Sequence, residues 1–217
     1  MFTKFATVVI AAVAMMAGLF AGQATASSSA VVGGGSGLVI NGHFLCTLTT
    51  VGHDRSGALV GLTAGHCGQV GNTVVAERAR GAGVIGRIVA KNSTLDYAVI
   101  ALDPGRVVPV RRIGGTTITN IGGPVSFPAT ICKQGRTTAH TCGIAYGDVF
   151  ATNQTWGQMC IAEGDSGAPV TVGSTLVGMV NAYLWQACVG PSLGTTMSSV
   201  MGDLNGRGGP GAGFRPI

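Results

Sequence analysis

At 217 residues, with 46% hydrophobic and only 10% charged residues, the chain has the length of one domain or two small half-domains, and the wrong balance for disorder. Its 37 glycines follow no G-X-Y period, which excludes collagen; with so few charged residues they point to short strands joined by tight turns. The formal charge of +5 is diffuse, with no run of five Lys or Arg, so nucleic acid is not an expected partner.

Residues 1–26 read as a secretory signal peptide: Lys4 gives a positive start, 5–20 are almost wholly apolar, and Ala24-Thr25-Ala26 is a small-residue cleavage site. The apolar run is short for a span of about 20 residues and has no basic flank, so no stable membrane insertion is expected after cleavage. Residues 27–31 are expected to form a short leader, flexible over Ser27-Ser28-Ser29-Ala30.

Between 32 and 110, β-rich runs fall at 37–40, 44–50, 58–63, 73–76, 83–89 and 97–102, each bounded by Gly, Asn, Asp or Pro. Between 111 and 205 a second set falls at 116–121, 130–133, 144–151, 158–161, 169–172 and 176–180. The stretch 104–115, with Pro104, Pro109 and Arg111-Arg112, reads as the linker. Two similar sets predict an all-β fold of two six-stranded antiparallel β-barrels with a cleft between them. A short C-terminal helix is expected over 195–204 through Val200, Met201 and Leu204, and the Gly- and Pro-rich tail at 206–217 is expected to be disordered.

Six cysteines follow the cleavage site: Cys46, Cys67, Cys132, Cys142, Cys160 and Cys188. An even count in an exported chain implies three disulfides, and spacing alone does not choose among the 15 possible pairings. No C-x-x-C pair and no histidine cluster at ligand spacing argue against zinc, and no Asp/Asn cluster has calcium-loop spacing. No metal or cofactor is implied.

Three strings carry the chemistry: Thr63-Ala64-Gly65-His66-Cys67, Leu95-Asp96-Tyr97-Ala98-Val99-Ile100 and Gly164-Asp165-Ser166-Gly167-Ala168-Pro169. Singly, each has an ordinary explanation: a surface histidine, a capping aspartate, a serine in a Gly-rich turn. Together they run His, Asp, Ser at domain-scale separation, an order that differs from subtilisins and from α/β-hydrolases, and so speaks against an esterase or lipase.

On these motifs the sequence resembles the chymotrypsin-like serine proteases, in the small bacterial branch of the streptogrisins and α-lytic protease. The likeness runs from about Val32 to Leu204. Its bacterial marks are Cys132-Lys133-Gln134-Gly135-Arg136-Thr137-Thr138 leading to Cys142, the Asp96-Tyr97 pair, and the offset of Cys160 before the serine. The resemblance implies a secreted endopeptidase, acting as a monomer on polypeptide substrates. His66, Asp96 and Ser166 would form its triad, and the backbone N–H groups of Gly164 and Ser166 its oxyanion hole. It implies a structural ion pair between Asp165 and Lys133, with Arg136 as the fallback cation. It also implies the pairings Cys46–Cys67, Cys132–Cys142 and Cys160–Cys188.

The chain departs from the family pattern in two places. Only a handful of residues separate Ala26 from the first barrel, where relatives often carry a long pro-region. The pocket strand, usually Ser-Gly-Gly, reads Asn181-Ala182-Tyr183, so Asn181 must replace a serine that supports Asp96. A substrate pocket of Ile161, Val180, Ala182 and Tyr183 offers no partner to a charged side chain, so uncharged small to medium apolar residues are expected before the scissile bond. The competing expectation is a catalytically weak homologue that binds peptides or proteins.

Overall fold

The computed structural model describes residues 28–217, so the expected signal peptide lies outside the described residues. The first half folds as β1 (Ala30–Val32), β2 (Gly37–Ile40), β3 (Phe44–Thr47), β4 (Thr50–His53), β5 (Leu59–Ala64), β6 (Thr73–Ala76), β7 (Val84–Asn92), β8 (Tyr97–Leu102) and β9 (Val107–Pro109). The second half gives β10 (Arg112–Ile113), β11 (Thr116–Thr117), β12 (Asn120–Ile121), β13 (Thr130–Gly135), β14 (Ala139–Gly147), β15 (Gln154–Gln158), β16 (Pro169–Val172), β17 (Thr175–Tyr183), β18 (Ser192–Thr196), α1 (Met197–Arg207) and β19 (Arg215–Pro216).

The C-terminal sheet runs β12-β17-β16-β13-β14-β15-β18, and β18 also pairs with β17, so β13 to β18 close into a six-stranded barrel. The N-terminal sheet runs β19-β4-β5-β8-β7-β6-β2-β3 and stays open, a half-barrel where a closed one was expected. Its open edge has a physical reason: the Thr47 N–H at the end of β3 bonds the Ser166 carbonyl (2.8 Å), across the cleft rather than within its own sheet. The fold is that of the chymotrypsin class, with one closed barrel and one open one.

Three further expectations are corrected. Ala30 is not part of a flexible leader: it is fully buried, and β1 pairs in parallel with β9. The helix starts at Met197 because Thr195 and Thr196 finish β18; Thr196 then caps it, its hydroxyl accepting the Ser199 N–H. Nor is the tail disordered. Its glycines at 208, 209, 211 and 213 have φ between 68° and 85°, the left-handed region that favours glycine, and so shape turns. Asp54 accepts the Gly211 N–H, Asn205 accepts the Gly213 N–H, and β19 pairs with β4. Phe214 is 6% exposed and joins the N-terminal core, which offsets the entropy of ordering the tail.

Candidate active site

His66 sits on a single 3-10 turn (Gly65–Cys67) at the end of β5, and Asp96 ends the loop between β7 and β8. Both belong to the open sheet. The two loops are tied by the Gly65 N–H donating to the Asp96 carbonyl (2.9 Å). Asp96 has a left-handed backbone (φ 49°), and its carboxylate oxygens accept the His66 backbone N–H (2.7 Å) and meet His66 Nδ1 (2.7 Å). Ser166 comes from the closed barrel, and its Oγ lies 2.8 Å from His66 Nε2. The three residues named from sequence thus form one hydrogen-bonded chain across the cleft.

Asn181 occupies the irregularity between Val180 and Ala182 in the β17–β18 ladder. Its Nδ2 donates to the Asp96 carbonyl (2.8 Å) and to Asp96 Oδ2 (2.7 Å), while its Oδ1 accepts the Thr195 N–H (2.8 Å). Burial works against the Asp96 charge, yet the bonds from His66 and Asn181 hold its carboxyl below the usual carboxylate range. An acceptor-only carboxylate in that place fixes the imidazole with its proton on Nδ1 and leaves Nε2 facing Ser166.

The serine turn is held from beneath by residues that sequence reasoning did not single out. Thr47 Oγ1 donates to the Gly164 carbonyl (2.9 Å), and Thr49 Oγ1 donates to the Gly167 carbonyl (2.7 Å). Gly164 needs its freedom: φ is 91°, and a Cβ there would lie 2.6 Å from Thr137 Oγ1. Neither the Gly164 nor the Ser166 N–H donates to any described residue, so both are free to bond a group placed at Ser166.

Asp165, between them, is fully buried and saturated. Its Oδ1 accepts the N–H groups of Thr137 (2.9 Å) and Thr138 (3.2 Å); its Oδ2 accepts the Ala162 N–H (3.1 Å), the Thr138 hydroxyl and Lys133 Nζ (3.4 Å). Lys133 is also fully buried and donates to Thr138 Oγ1 and to the Ala139 carbonyl (2.9 Å). Burial pushes the Lys133 ammonium down, and Asp165 opposes that shift. Arg136, the fallback cation, is instead bonded through both Nε and Nη2 to Glu77 of the N-terminal half. The one signal for Thr138 in the sequence was its place in the Cys132–Cys142 hairpin.

A pocket of about 280 Å³ opens beside Ser166, lined by Ile161, Ala162, Glu163, Val180, Asn181, Ala182 and Tyr183. Ile161 and Val180 are buried at its base, and Glu163 and Ala182 are exposed at its rim. A second cleft, about 370 Å³, lies on the other side of the serine between Phe44, Leu45, Arg136 and His66. The cysteines pair as Cys46–Cys67, Cys132–Cys142 and Cys160–Cys188; the last braces the pocket wall. Cys132, His140 and Cys142 lie close together, but the two sulfurs are joined and offer no thiolate to a metal.

No family model matches the chain. Among solved structures, Thermobifida fusca Protease A superposes with a TM-score of 0.69 at 20% identity, covering 87% of this chain and 99% of that one. A glutamic acid-specific serine protease, described as using a histidine triad in substrate binding, gives 0.66 at 21% identity over 80% of this chain and 98% of its own. A chymotrypsin from Cellulomonas bogoriensis gives 0.62 at 22% identity over 87% and 99%. Together with the sheet topology, these likenesses give the chain the fold of the bacterial chymotrypsin-like serine proteases.

Proposed function

We propose that the protein is a secreted serine endopeptidase. The observation that carries this reading is the unbroken chain from Ser166 Oγ through His66 to Asp96, with two unpaired N–H groups beside the nucleophile. Ser166 Oγ attacks the scissile carbonyl carbon while His66 Nε2 takes its proton. The carbonyl oxygen becomes an oxyanion held by the Gly164 and Ser166 N–H groups. The C–N bond then breaks, the imidazolium gives its proton to the leaving amine, and an acyl ester on Ser166 remains. Water, deprotonated by the same imidazole, releases the acid. Export is supported by the N-terminal sequence and by three disulfides, which persist in oxidising compartments.

The pocket supports a preference for uncharged, small to medium apolar residues before the scissile bond. No histidine or lysine lines it, so a glutamate side chain would find no cation there. Glu163 is exposed at the rim, where solvent weakens its pull on a basic side chain. Each buried methylene adds about 1–3 kcal/mol of discrimination, so selectivity is graded.

The test is labelling by a fluorophosphonate, which reacts only with an activated serine, followed by mapping of the label. Label on Ser166 is expected. An unlabelled protein would instead favour a catalytically weak homologue that binds peptides. Matched peptide amides differing only before the scissile bond then test the pocket: a highest kcat/KM for Arg, Lys or Glu overturns the specificity reading.

A further inference from the structure

The loop that presents Asp96 is held at its start by Asn92, which is 7% exposed. Asn92 Oδ1 accepts the N–H groups of Thr94 (2.9 Å) and Leu95 (3.0 Å), closing the turn that leads into Asp96. An amide side chain can do this only in one of its two orientations, and Asp203 on α1 selects it. Asp203 Oδ2 accepts Asn92 Nδ2 (2.9 Å), so the amide oxygen must face the loop. The same oxygen accepts the hydroxyl of Tyr97 (2.5 Å), the residue after Asp96, whose ring is 1% exposed, and meets Arg207 Nε (2.8 Å). Burial works against the Asp203 charge, but these donors hold its carboxyl below the usual range; burial and Asp203 together push the Tyr97 phenol up. The helix therefore grips the Asp96 loop from both sides, at residues 92 and 97.

We infer that Asp203 is a positioning residue, which sets the backbone of the 92–97 segment so that Asp96 keeps its left-handed geometry against His66. The inference rests on the triad reading proposed above. It assigns to an acid on the last helix, remote from substrate, a role in the tautomer and orientation of the base. Without the carboxylate, Asn92 can rotate its amide and release the Thr94 and Leu95 N–H groups to water. Asp96 then moves relative to the imidazole while the pocket stays as it is.

The experiment compares wild type with Asp203→Ala and Asp203→Asn, using a short ester substrate and active sites counted by fluorophosphonate. Asp203→Ala is expected to lower kcat per labelled site about 10- to 100-fold, with KM within about twofold, as misplacement of a catalytic group does. Because Asp96 stabilises the imidazolium, the rising limb of the pH–kcat profile moves to lower pH by about half a unit or more. Asp203→Asn keeps an acceptor oxygen but no charge, and is expected to recover most of kcat and of the limb position. Unchanged kcat per site and limb in Asp203→Ala, with only a lower Tm, overturns the inference and leaves a structural helix contact. A limb shift in Asp203→Asn as large as in Asp203→Ala also overturns it, since charge rather than position would be acting. If Asp203→Ala does not fold, Tyr97→Phe and Asp203→Asn carry the test: Tyr97→Phe leaves the Asn92 bond in place and is expected to keep the limb within about 0.2 unit. A shifted limb in Tyr97→Phe then overturns the order of control argued here. A wild type that takes no label overturns the triad reading itself, and the two failures are thereby separate.

Discussion

The open N-terminal sheet and the closed C-terminal barrel keep their shape by different means. The N-terminal sheet anchors a core of 30 buried residues, to which α1, Phe214 and two residues of β17 contribute, and it holds one disulfide. The barrel surrounds a core of eight, yet it closes its own hydrogen-bond ladder, carries two disulfides and buries the Lys133–Asp165 pair. Apolar burial scales with the area removed from water, so the sheet can leave an edge open and remain stable. A small core cannot do this, and cross-links and a saturated ion pair take its place. The open edge is what lets Thr47 reach across and hold the serine turn. The closed barrel carries Ser166 and Gly164, the proposed nucleophile and oxyanion donors; the half with the larger core carries His66 and Asp96, the proposed base and its partner.

The sharpest break of that comparison removes the chemistry and leaves both halves standing. Ser166→Ala is expected to lower peptide kcat by several powers of ten, about 10⁶-fold, with an unchanged unfolding transition. Residual hydrolysis within tenfold of wild type in a steady-state assay would falsify the assignment.

The next largest effect falls on the barrel's buried charge. Lys133→Ala leaves Asp165 buried without its cation, which costs about 3–5 kcal/mol. Denaturant unfolding measures it, and the acyl-transfer rate should fall as well, because Asp165 lies between Gly164 and Ser166, the proposed oxyanion donors. A variant as stable as wild type would mean that the backbone and hydroxyl donors around Asp165 suffice.

Cross-links come third. Replacing Cys160 and Cys188 together by Ser is expected to cost about 2–5 kcal/mol. The equivalent change at Cys46 and Cys67 should cost less, because the larger core remains. Hydrogen exchange read by mass spectrometry should show β15 to β18 opening first in the former. Equal costs would erase the distinction between the halves.

The smallest effect concerns the clasp between them. Arg136 of the barrel holds Glu77 of the sheet half below the usual carboxylate range, with partial burial opposing it. The stabilisation is therefore complete above the ordinary glutamate value near ~4.3 and lost as pH falls through the lower, folded value. Glu77→Gln should cost about 1 kcal/mol at pH 7 and nothing once the carboxylate is protonated. Thermal unfolding from pH 7 to pH 2 measures this; a constant difference across that range argues against a charge-dependent clasp.

Much of this organisation was legible in the sequence. The runs at 37–40, 73–76, 97–102 and 169–172 coincide with β2, β6, β8 and β16 because each is an apolar run cut sharply by Gly, Asn, Asp or Pro. Reading failed where side-chain identity does not report the backbone. The expected run at 144–151 overshoots β14, since Asp148 turns the chain by accepting the Thr152 and Asn153 N–H groups. The strand expected at 158–161 lies too late in the chain, meeting β15 (Gln154–Gln158) only at Gln158. β18, reading Ser-Leu-Gly-Thr-Thr, has no apolar alternation, and its burial comes from closing the barrel. At the site, the strings around His66, Asp96 and Ser166 stood out, whereas Thr47, Thr195 and Asp203 did not. Their partners lie far along the chain, and nothing local marks a threonine or aspartate as a strut.

The tail has one more consequence. The Val110 N–H bonds the Val32 carbonyl (2.8 Å), and the next residue, Arg111, reaches the Ile217 carbonyl (2.5 Å), so Val32 and Ile217 meet on adjacent residues of the inter-half linker. In wiring terms the segment from Val32 to Ile217 is nearly a ring. Residues 30 and 217 could be spliced by a few flexible residues and the chain reopened at an exposed hairpin tip such as Gly57 or Gly173, neither of which has any neighbour within 4 Å of a Cβ position. The reopened molecule would keep every ladder described above except the hairpin turn that was cut. Reopening at Gly57 would make β5, the strand ahead of His66, the first to emerge during synthesis, with β1 to β4 the last.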